Sequence, residues 1–482
     1  MLMLKVFFKD SAIYAIPSII SRGMSLFLVP LYTRVLSPSD YGSLDLLMVF
    51  AGIVNLTIAL EVSQGVARFY TEEKILERKI LYASSAFWFT IFVYLTFAIL
   101  TFFYSNSLSY LILGKKGLTK VFEIGMIYIC INGIFYLIQN QFRWELKSKE
   151  YAIVSLVTSI VTAIVSIWFA YYLKYGLVGL LLGMLSGSLV ATFLGIIWLR
   201  KSFQFRFELT YLKEILTFSS PLVLSGMAVW LSQYIDRIMI KHYLSIEQLG
   251  LFGVGYRIAS IVGLVMIGFQ GALTPLIYNN YTKDDTPEQI AKIFRLFTAA
   301  ALSFFLVLTL FSIDILKIFT TLNYYNAKSV VIFLVPALLF ANMYIFAPGI
   351  GISKKSHYFI WINIIGATIN FLLNIFLIPL FGIMGAGIAT LIGYLTVFIM
   401  HMTISQKLYF VPHKWKPIIY CSIISIFMSM TLNYFEFSSF IRWSLNILSL
   451  IIFVFSILFF DLINISELKK LKLFLKLKKN PN

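Results

Sequence analysis

The stretch Thr33-Arg-Val-Leu-Ser-Pro-Ser-Asp-Tyr-Gly42, TRVLSPSDYG, recurs in part as KHYLSIEQLG at residues 241–250. The Leu-Ser pair and the final glycine of the two copies lie 208 residues apart. Glycine accepts the backbone conformations that tight turns need. We therefore expect each copy to join two consecutive helices, with its glycine allowing the chain to reverse.

Two more short segments recur in the same order. KSKEY (147–151) returns as KKSHY (354–358), and GLVG (176–179) returns as GIMG (382–385). The offsets of 207 and 206 residues are close to that of the first pair. This register predicts two homologous lobes of six helices, 1–207 and 208–410, followed by two extra helices in 411–462 and a basic tail, 463–482.

The composition indicates that most of the chain lies in lipid. Hydrophobic residues make up 60% and charged residues 12%, whereas soluble domains carry about 25% charge. Apolar runs of about 20 residues, long enough for membrane-spanning helices, recur throughout. They predict an all-α polytopic membrane protein with about fourteen spans, centred near residues 22, 55, 92, 130, 162, 187, 229, 264, 305, 340, 369, 394, 425 and 451.

The net charge of +18 comes mainly from Lys and Arg residues in the predicted loops between spans. With a cytoplasmic amino terminus, 27 Lys and Arg residues fall on the cytoplasmic side and 10 on the other. Positive loops resist translocation, so both termini are expected in the cytoplasm. The excess charge is thus a topology signal and does not predict nucleic-acid binding. The Leu- and Lys-rich tail is expected to lie along anionic membrane lipids.

Several functional classes are disfavoured by what the sequence lacks. It contains no G-x-x-x-x-G-K-[ST] phosphate loop, no catalytic-sized loop and no paired-histidine metal motif. The cysteines, Cys130 and Cys421, both sit in apolar runs. We expect a protein without enzymatic activity or cofactor, in which any uphill transport is driven by a proton or sodium gradient or by the membrane potential. Repeats with an even number of spans are parallel and favour an alternating-access transporter.

Five stretches resemble one family of transporters. They are NFLLNIFLIPLFGIMGAGIATLIGY (370–394), LVPLYTRVLSPSDYG (28–42), GVARFY (65–70), YIDRIMI (234–240) and LGLFGVGYRIAS (249–260). They are similar to polysaccharide transporters, including the O-antigen flippases, of the multidrug/oligosaccharidyl-lipid/polysaccharide exporter superfamily. Other branches of that superfamily are peptidoglycan-precursor flippases and ion-coupled multidrug antiporters, and both stay open as alternatives.

The resemblance implies a substrate, a location and partners. The substrate would be a polyprenyl-pyrophosphate-linked oligosaccharide, an O-antigen or capsule repeat unit, moved to the outer leaflet of the bacterial cytoplasmic membrane. Polysaccharide polymerase and chain-length proteins would be partners. A membrane-embedded glycosyltransferase or polymerase is a weaker alternative, because the expected acidic catalytic groups or large outer loop are missing.

Charges inside spans cost about 3 kcal/mol each on insertion scales and are functional candidates. Arg22 is a candidate pyrophosphate ligand, because guanidinium binds phosphates bidentately. Its alternative role is an ion pair with Glu61, at a similar depth in the next helix. Asp236 would pair with Arg257 across a hairpin. Arg237 would then be left free of a carboxylate partner, to face the cavity or reach the outer surface. Glu61 and Asp236 are candidates for proton or sodium coupling.

One face of the predicted eleventh span carries three asparagines. Asn363, Asn370 and Asn374 have the i, i+7, i+11 spacing of a helical stripe. The stripe would hydrogen-bond sugar hydroxyls in a cavity. The alternative is that these amides join neighbouring helices inside the bundle. Together with Arg22, Arg237 and Arg257 they form the predicted substrate site, a cationic central cavity. The three arginines outnumber the carboxylates Glu61 and Asp236, and this excess disfavours a site for cationic drugs.

Overall fold

The computed structural model of the chain describes residues 28–263, 280–355, 357–435 and 437–463, with single positions between 264 and 279. Within these ranges every regular element is a helix. Lipid offers no water to pair with backbone groups, so a spanning segment must satisfy its N–H and C=O groups internally. The predicted all-helical class is confirmed.

The described residues form eighteen α-helices. The first nine are α1 Val29–Val35, α2 Pro38–Thr57, α3 Val62–Glu72, α4 Leu76–Phe103, α5 Ser105–Leu113, α6 Thr119–Trp144, α7 Ser148–Ser166, α8 Gly176–Trp198 and α9 Leu209–Tyr243. The other nine are α10 Ile246–Ala259, α11 Thr286–Leu310, α12 Ser312–Phe319, α13 Lys328–Asn342, α14 Gly349–Ile352, α15 His357–Phe381, α16 Ile383–Leu408, α17 Trp415–Tyr434 and α18 Ser439–Phe459.

Eleven helical segments in the described ranges are long and apolar enough to span a membrane, or up to twelve with the bent pair α2 and α3. The predicted centres near residues 22 and 264 lie outside the described residues. The count of fourteen therefore remains a prediction. The second predicted span, centred near residue 55, is a broken helix, with α2 and α3 meeting at 45°.

Packing divides the chain into two compact units. The first holds the described residues up to Gly253 and Phe319–Tyr324, and the second holds Val254–Ile318 and the described residues from Tyr325 onward. Helix α9 packs in the first unit, although it follows the repeat boundary predicted at residue 207. The division into two duplicated lobes, 1–207 and 208–410, with the extra segments 411–462 and 463–482, remains a proposal.

In the first unit, α9 lies against α2 and α3 at three glycines. A Cβ on Gly52 would lie 2.8 Å from Nε1 of Trp230, and a Cβ on Gly65 would lie 2.6 Å from Cγ2 of Ile215. A Cβ on Gly226 would overlap Leu56. The indole of Trp230 also donates a hydrogen bond to the carbonyl of Val49 at 3.1 Å. Small residues allow such close helix contacts in membranes, where lipid does not drive helices together.

In the second unit, polar contacts join α17 and α18 to α11 and α12. Arg442 donates to Asp314 at 2.7 Å. The side-chain amides of Asn446 and Asn433 donate to the carbonyls of Leu310 and Thr309, at 2.9 and 3.3 Å. The bond from Asn446 satisfies a carbonyl in the last turn of α11, where a helix leaves its final carbonyls without an intrahelical partner.

The repeated serine has the same structural role in both copies. Ser37 precedes α2 and accepts a hydrogen bond from the backbone N–H of Asp40 at 3.1 Å. Ser245 precedes α10 and accepts one from the N–H of Gln248 at 3.2 Å. Both are helix N-caps, which satisfy a donor that the first turn leaves unpaired. The prediction that each copy joins two helices is confirmed.

The repeated glycine has a role that differs from the expected one. Gly42 and Gly250 lie inside α2 and α10, so the expectation that they allow the chain to reverse is wrong. They lie where the two helices touch. A Cβ on Gly42 would overlap the carbonyl oxygen of Ile246, and one on Gly250 would overlap that of Pro38. The two copies of the motif therefore pack against each other, and glycine is required for that contact.

The GLVG and GIMG copies do contain reversals. Gly176 and Gly382 adopt left-handed φ angles of +55° and +60°, which glycine reaches at little cost. Three residues later, a Cβ on Gly179 would lie 2.6 Å from the backbone nitrogen of Ala170, and one on Gly385 would overlap the carbonyl of Leu377. Both copies thus fold into the same tight helical hairpin.

We predict that Gly42→Ala and Gly250→Ala each lower the free energy of unfolding by about 1–3 kcal/mol, because the added methyl forces α2 and α10 apart. Thermal unfolding in detergent measures the effect. Gly387→Ala is the matched control, since its Cβ would lie 3.3 Å from the nearest heavy atom. Equal unfolding temperatures for all three variants would contradict the predicted contact.

Candidate functional site

A buried ion pair joins α2 to α9. Nε of Arg237 donates to Oδ2 of Asp45 at 2.8 Å, with the two side chains 7% and 17% exposed. The guanidinium also donates to the carbonyl of Gln233 at 3.4 Å. Both partners lie in helices of the first unit. A charge so deeply buried is costly unless it is paired and hydrogen-bonded.

Aromatic rings and a glycine surround the pair. The guanidinium carbon of Arg237 lies 5.4 Å from the ring centre of Tyr234 and 5.8 Å from that of Phe252. These distances fit cation–π contacts. On the carboxylate side, a Cβ on Gly253 would lie 3.3 Å from Oδ2 of Asp45. A larger residue at 253 would crowd the carboxylate.

This geometry corrects one prediction and adds one residue. The expectation that Arg237 is left without an acidic partner is wrong, because Asp45 binds it. Asp45 was missed by the sequence reasoning. Its signal was present, since it is a charged residue in the apolar stretch that became α2, and such residues are functional candidates by default.

Asp45 also changes the balance of charge within the spans. The predicted set held Arg22, Arg237 and Arg257 against the carboxylates Glu61 and Asp236, and so leaned cationic. With Asp45 the arginines and carboxylates are equal in number. The count therefore no longer separates a site for anions from a site for cationic drugs.

Glu61 lies at the break between α2 and α3. Leu60 and Glu61 both adopt left-handed φ angles, +49° and +53°, which cost a residue with a side chain about 1–3 kcal/mol. The buried Ala59 and Val62 fix the chain on either side. Glu61 is half-buried and occupies the N-cap position of α3, so it is not within a continuous helix as predicted. Its predicted partner, Arg22, lies outside the described residues.

The other predicted charges lie on α9 and α10. Asp236 is 4% exposed and precedes Arg237 on α9. Arg257 is half-buried in the last turn of α10, where its carbonyl accepts a bond from the hydroxyl of Ser260 at 2.6 Å. Their mutual pairing, and their roles in coupling and substrate binding, remain predictions.

The asparagine stripe divides along α15. Asn363 is exposed, and its amide donates to the carbonyl of Phe359 one turn earlier at 2.7 Å. Asn370 and Asn374 are buried, and Nδ2 of Asn374 donates to Oδ1 of Asn370 at 3.2 Å. A Cβ on Gly393 of α16 would lie 2.9 Å from Cβ of Asn370. For Asn370 this position fits the helix-joining alternative, and the role of the stripe in binding sugar stays a prediction.

Among the described residues, no three His, Cys, Asp or Glu side chains converge as a set of metal ligands.

We predict that Arg237→Gln and Asp45→Asn each lower the free energy of unfolding by about 3–5 kcal/mol, because each leaves a buried charge without its partner. The double variant should recover much of that loss. Unfolding in detergent gives the coupling energy of the pair. The exposed pair of Arg206 and Glu77, whose nitrogen and oxygen lie 3.2 Å apart, is the control, with an expected coupling below about 1 kcal/mol. Equal coupling in the two pairs would contradict the structural role of the buried pair.

Comparison with solved structures places the fold among membrane transporters. The structure of lipid II flippase MurJ in its inward closed conformation superimposes with a TM-score of 0.73 at 18% identity, covering 92% of this chain and 97% of that one. An inward-facing multidrug resistance MATE family transporter gives 0.62 at 17% identity, covering 81% and 97%. A transporter of the MOP superfamily from Pyrococcus furiosus superimposes with a TM-score of 0.57 at 18% identity, covering 83% of this chain and 95% of that one.

Sequence comparison identifies the family. A Haemophilus influenzae protein of the Lsg locus is 23% identical over 303 residues, which cover 56% of this chain and 66% of that protein. A MatE family model matches residues 221–376. The polysaccharide biosynthesis protein family model matches residues 31–278, more than half of the chain. The chain belongs to the polysaccharide biosynthesis protein family, as a multi-pass membrane transporter of the multidrug/oligosaccharidyl-lipid/polysaccharide exporter superfamily.

Proposed function

We propose that this transporter is a flippase that moves a polyprenyl-pyrophosphate-linked oligosaccharide from the cytoplasmic to the outer leaflet. The observation that carries the proposal is the match to the polysaccharide biosynthesis protein family over residues 31–278. The fold shared with a lipid II flippase supports a lipid-linked substrate. O-antigen and capsule repeat units are the substrates that this assignment favours.

The physical task explains why such a substrate needs a protein. Sugars and a pyrophosphate cannot enter hydrocarbon without a large desolvation penalty. The polyprenyl tail is itself a hydrocarbon and dissolves in the bilayer core. Alternating access to a polar cavity would shelter the head group, and the tail would stay in the lipid. Each step is a conformational change, so no covalent chemistry is required.

Named residues would divide the work. Arg22, Arg237 and Arg257 would contact the pyrophosphate, and Asn363, Asn370 and Asn374 would hydrogen-bond the sugars. The pairing of Arg237 with Asp45 adds a condition, because the carboxylate already balances the charge of the guanidinium that a pyrophosphate would bind. Asp45 would then join Glu61 and Asp236 as a candidate for proton or sodium coupling.

The setting follows from the same proposal. The protein would lie in the bacterial cytoplasmic membrane with both termini in the cytoplasm. Polysaccharide polymerase and chain-length proteins would receive its product.

A multidrug antiporter is the second candidate. It is supported by the MatE match over residues 221–376. The three carboxylates Asp45, Glu61 and Asp236, which equal the candidate arginines in number, also fit a site for cationic drugs. A peptidoglycan-precursor flippase is a variant of the first proposal, with a different sugar–peptide head group on the same kind of carrier. Loss of surface polysaccharide, increased drug sensitivity, or arrest of wall synthesis on deletion would separate the three.

We predict that deletion of the gene abolishes the surface polysaccharide and causes lipid-linked repeat units to accumulate on the cytoplasmic leaflet, since synthesis continues without export. Extraction of glycolipids and polysaccharide analysis measure both effects. The deletion strain with the wild-type gene on a plasmid is the control and should export polysaccharide again. Normal polysaccharide without accumulated lipid-linked units would show that the flippase proposal is wrong.

A further inference from the structure

A cavity of about 630 Å³ opens between α3 and the first turns of α9, in the first unit. We call it the α3–α9 pocket. Arg68 and Phe69 line it from α3, and Lys213, Glu214 and Phe218 line it from α9, with two threonines beside them. The close approach of Gly65 to Ile215, one turn before Arg68, holds the two helices at this distance.

The basic groups of the α3–α9 pocket are accessible. The guanidinium carbon of Arg68 lies 4.8 Å from the ring centre of Phe218, and the side chain is 51% exposed. Its Nε lies 3.9 Å from a carboxylate oxygen of Glu72, a long and exposed contact of little strength. Lys213 is exposed and forms no ion pair with any residue that the structure describes.

The acidic group of the pocket is already engaged. Oε2 of Glu214 accepts a hydrogen bond from the hydroxyl of Tyr82 at 2.5 Å. The charged residues of the lining are Arg68, Lys213 and Glu214, so its net charge is +1. A planar guanidinium with an ammonium nearby is a typical pair of ligands for a phosphate group.

Aromatic rings form the other side of the pocket. Phe69 stacks on Tyr82 with ring centres 5.5 Å apart and meets the edge of Phe218 at 6.1 Å. A free phosphate gains no binding energy from these aromatic rings. A phosphate attached to a hydrocarbon chain gains from both sides, because its first carbon units bury apolar surface against the rings.

We propose that the α3–α9 pocket is a loading site for the pyrophosphate and first isoprenoid units of the polyprenyl carrier. This inference rests on the proposed function. The segments 68–79 and 200–213 border the pocket and hold 8 of the 27 Lys and Arg residues that the charge bias places on the cytoplasmic side. The substrate would be assembled on that side. Arg68 and Lys213 bind the pyrophosphate, and Phe69 and Phe218 contact the chain. The site is distinct from the buried pair of Arg237 and Asp45.

A photoreactive carrier tests the pocket directly. We predict that polyprenyl pyrophosphate with a diazirine on its first isoprene unit crosslinks, in detergent-purified full-length protein, to peptides containing Phe69 or Phe218. The double variant Arg68→Gln/Lys213→Gln should lower this crosslinking about tenfold, the loss expected for a charge-assisted hydrogen bond. Arg206→Gln is the matched control, because Arg206 is also 51% exposed and pairs with a glutamate.

The competitors distinguish the possible sources of phosphate. Unlabelled polyprenyl pyrophosphate should block the crosslink, whereas inorganic pyrophosphate and phosphatidylglycerol at the same concentration should not. Equal competition by either would overturn the proposal, as would crosslinking that the double variant leaves unchanged. Unaltered unfolding temperatures show that the variants fold. If the deletion strain exports polysaccharide normally while the crosslink persists, the proposed function fails and the lipid-phosphate site stands.

Discussion

A buried guanidinium must have a partner, and this requirement organises the first unit. Arg237 and Asp45 lie on different helices, so α9 and α2 must meet where the two side chains meet. Glycines make that meeting possible. Gly52 and Gly226 admit the large side chains of Trp230 and Leu56 between the helices, and Gly253 leaves room beside Asp45. The ion pair sets where the helices meet, and the glycines set how closely they approach.

The same packing has consequences for function. α3 follows the bend at Leu60 and Glu61, and its approach to α9 at Gly65 creates the α3–α9 pocket. Our proposals then give the two basic regions different tasks. The exposed Arg68 and Lys213 suit the first capture of a lipid phosphate, because neither side chain has to leave a buried partner before it binds the phosphate. The buried Arg237 suits a later step, because its side chain is only 7% exposed and is already paired with Asp45.

The sequence predicted the architecture well where a repeated pattern had one physical meaning. Apolar runs required helices, and the repeated serines were found as N-caps at the predicted junctions. Glycine has two uses, left-handed backbone and close contact, and sequence does not separate them. Gly176 and Gly382 follow the first use, whereas Gly42 and Gly250 follow the second. The partner of Arg237 could not be predicted from sequence either, because Asp45 is 192 residues away in the chain. The two side chains come together only when α2 and α9 pack.

Flipping in proteoliposomes tests whether a pyrophosphate-linked glycolipid is the cargo of this transporter. Purified protein would be reconstituted with a fluorescent polyprenyl-pyrophosphate oligosaccharide or a matched neutral glycolipid without phosphate, and lectin accessibility would be followed with time. We expect rapid movement of the pyrophosphate-linked lipid and only background movement of the neutral lipid. Equal rates for the two lipids, or no movement of either above protein-free vesicles under any imposed ion gradient, would contradict this assignment of the cargo.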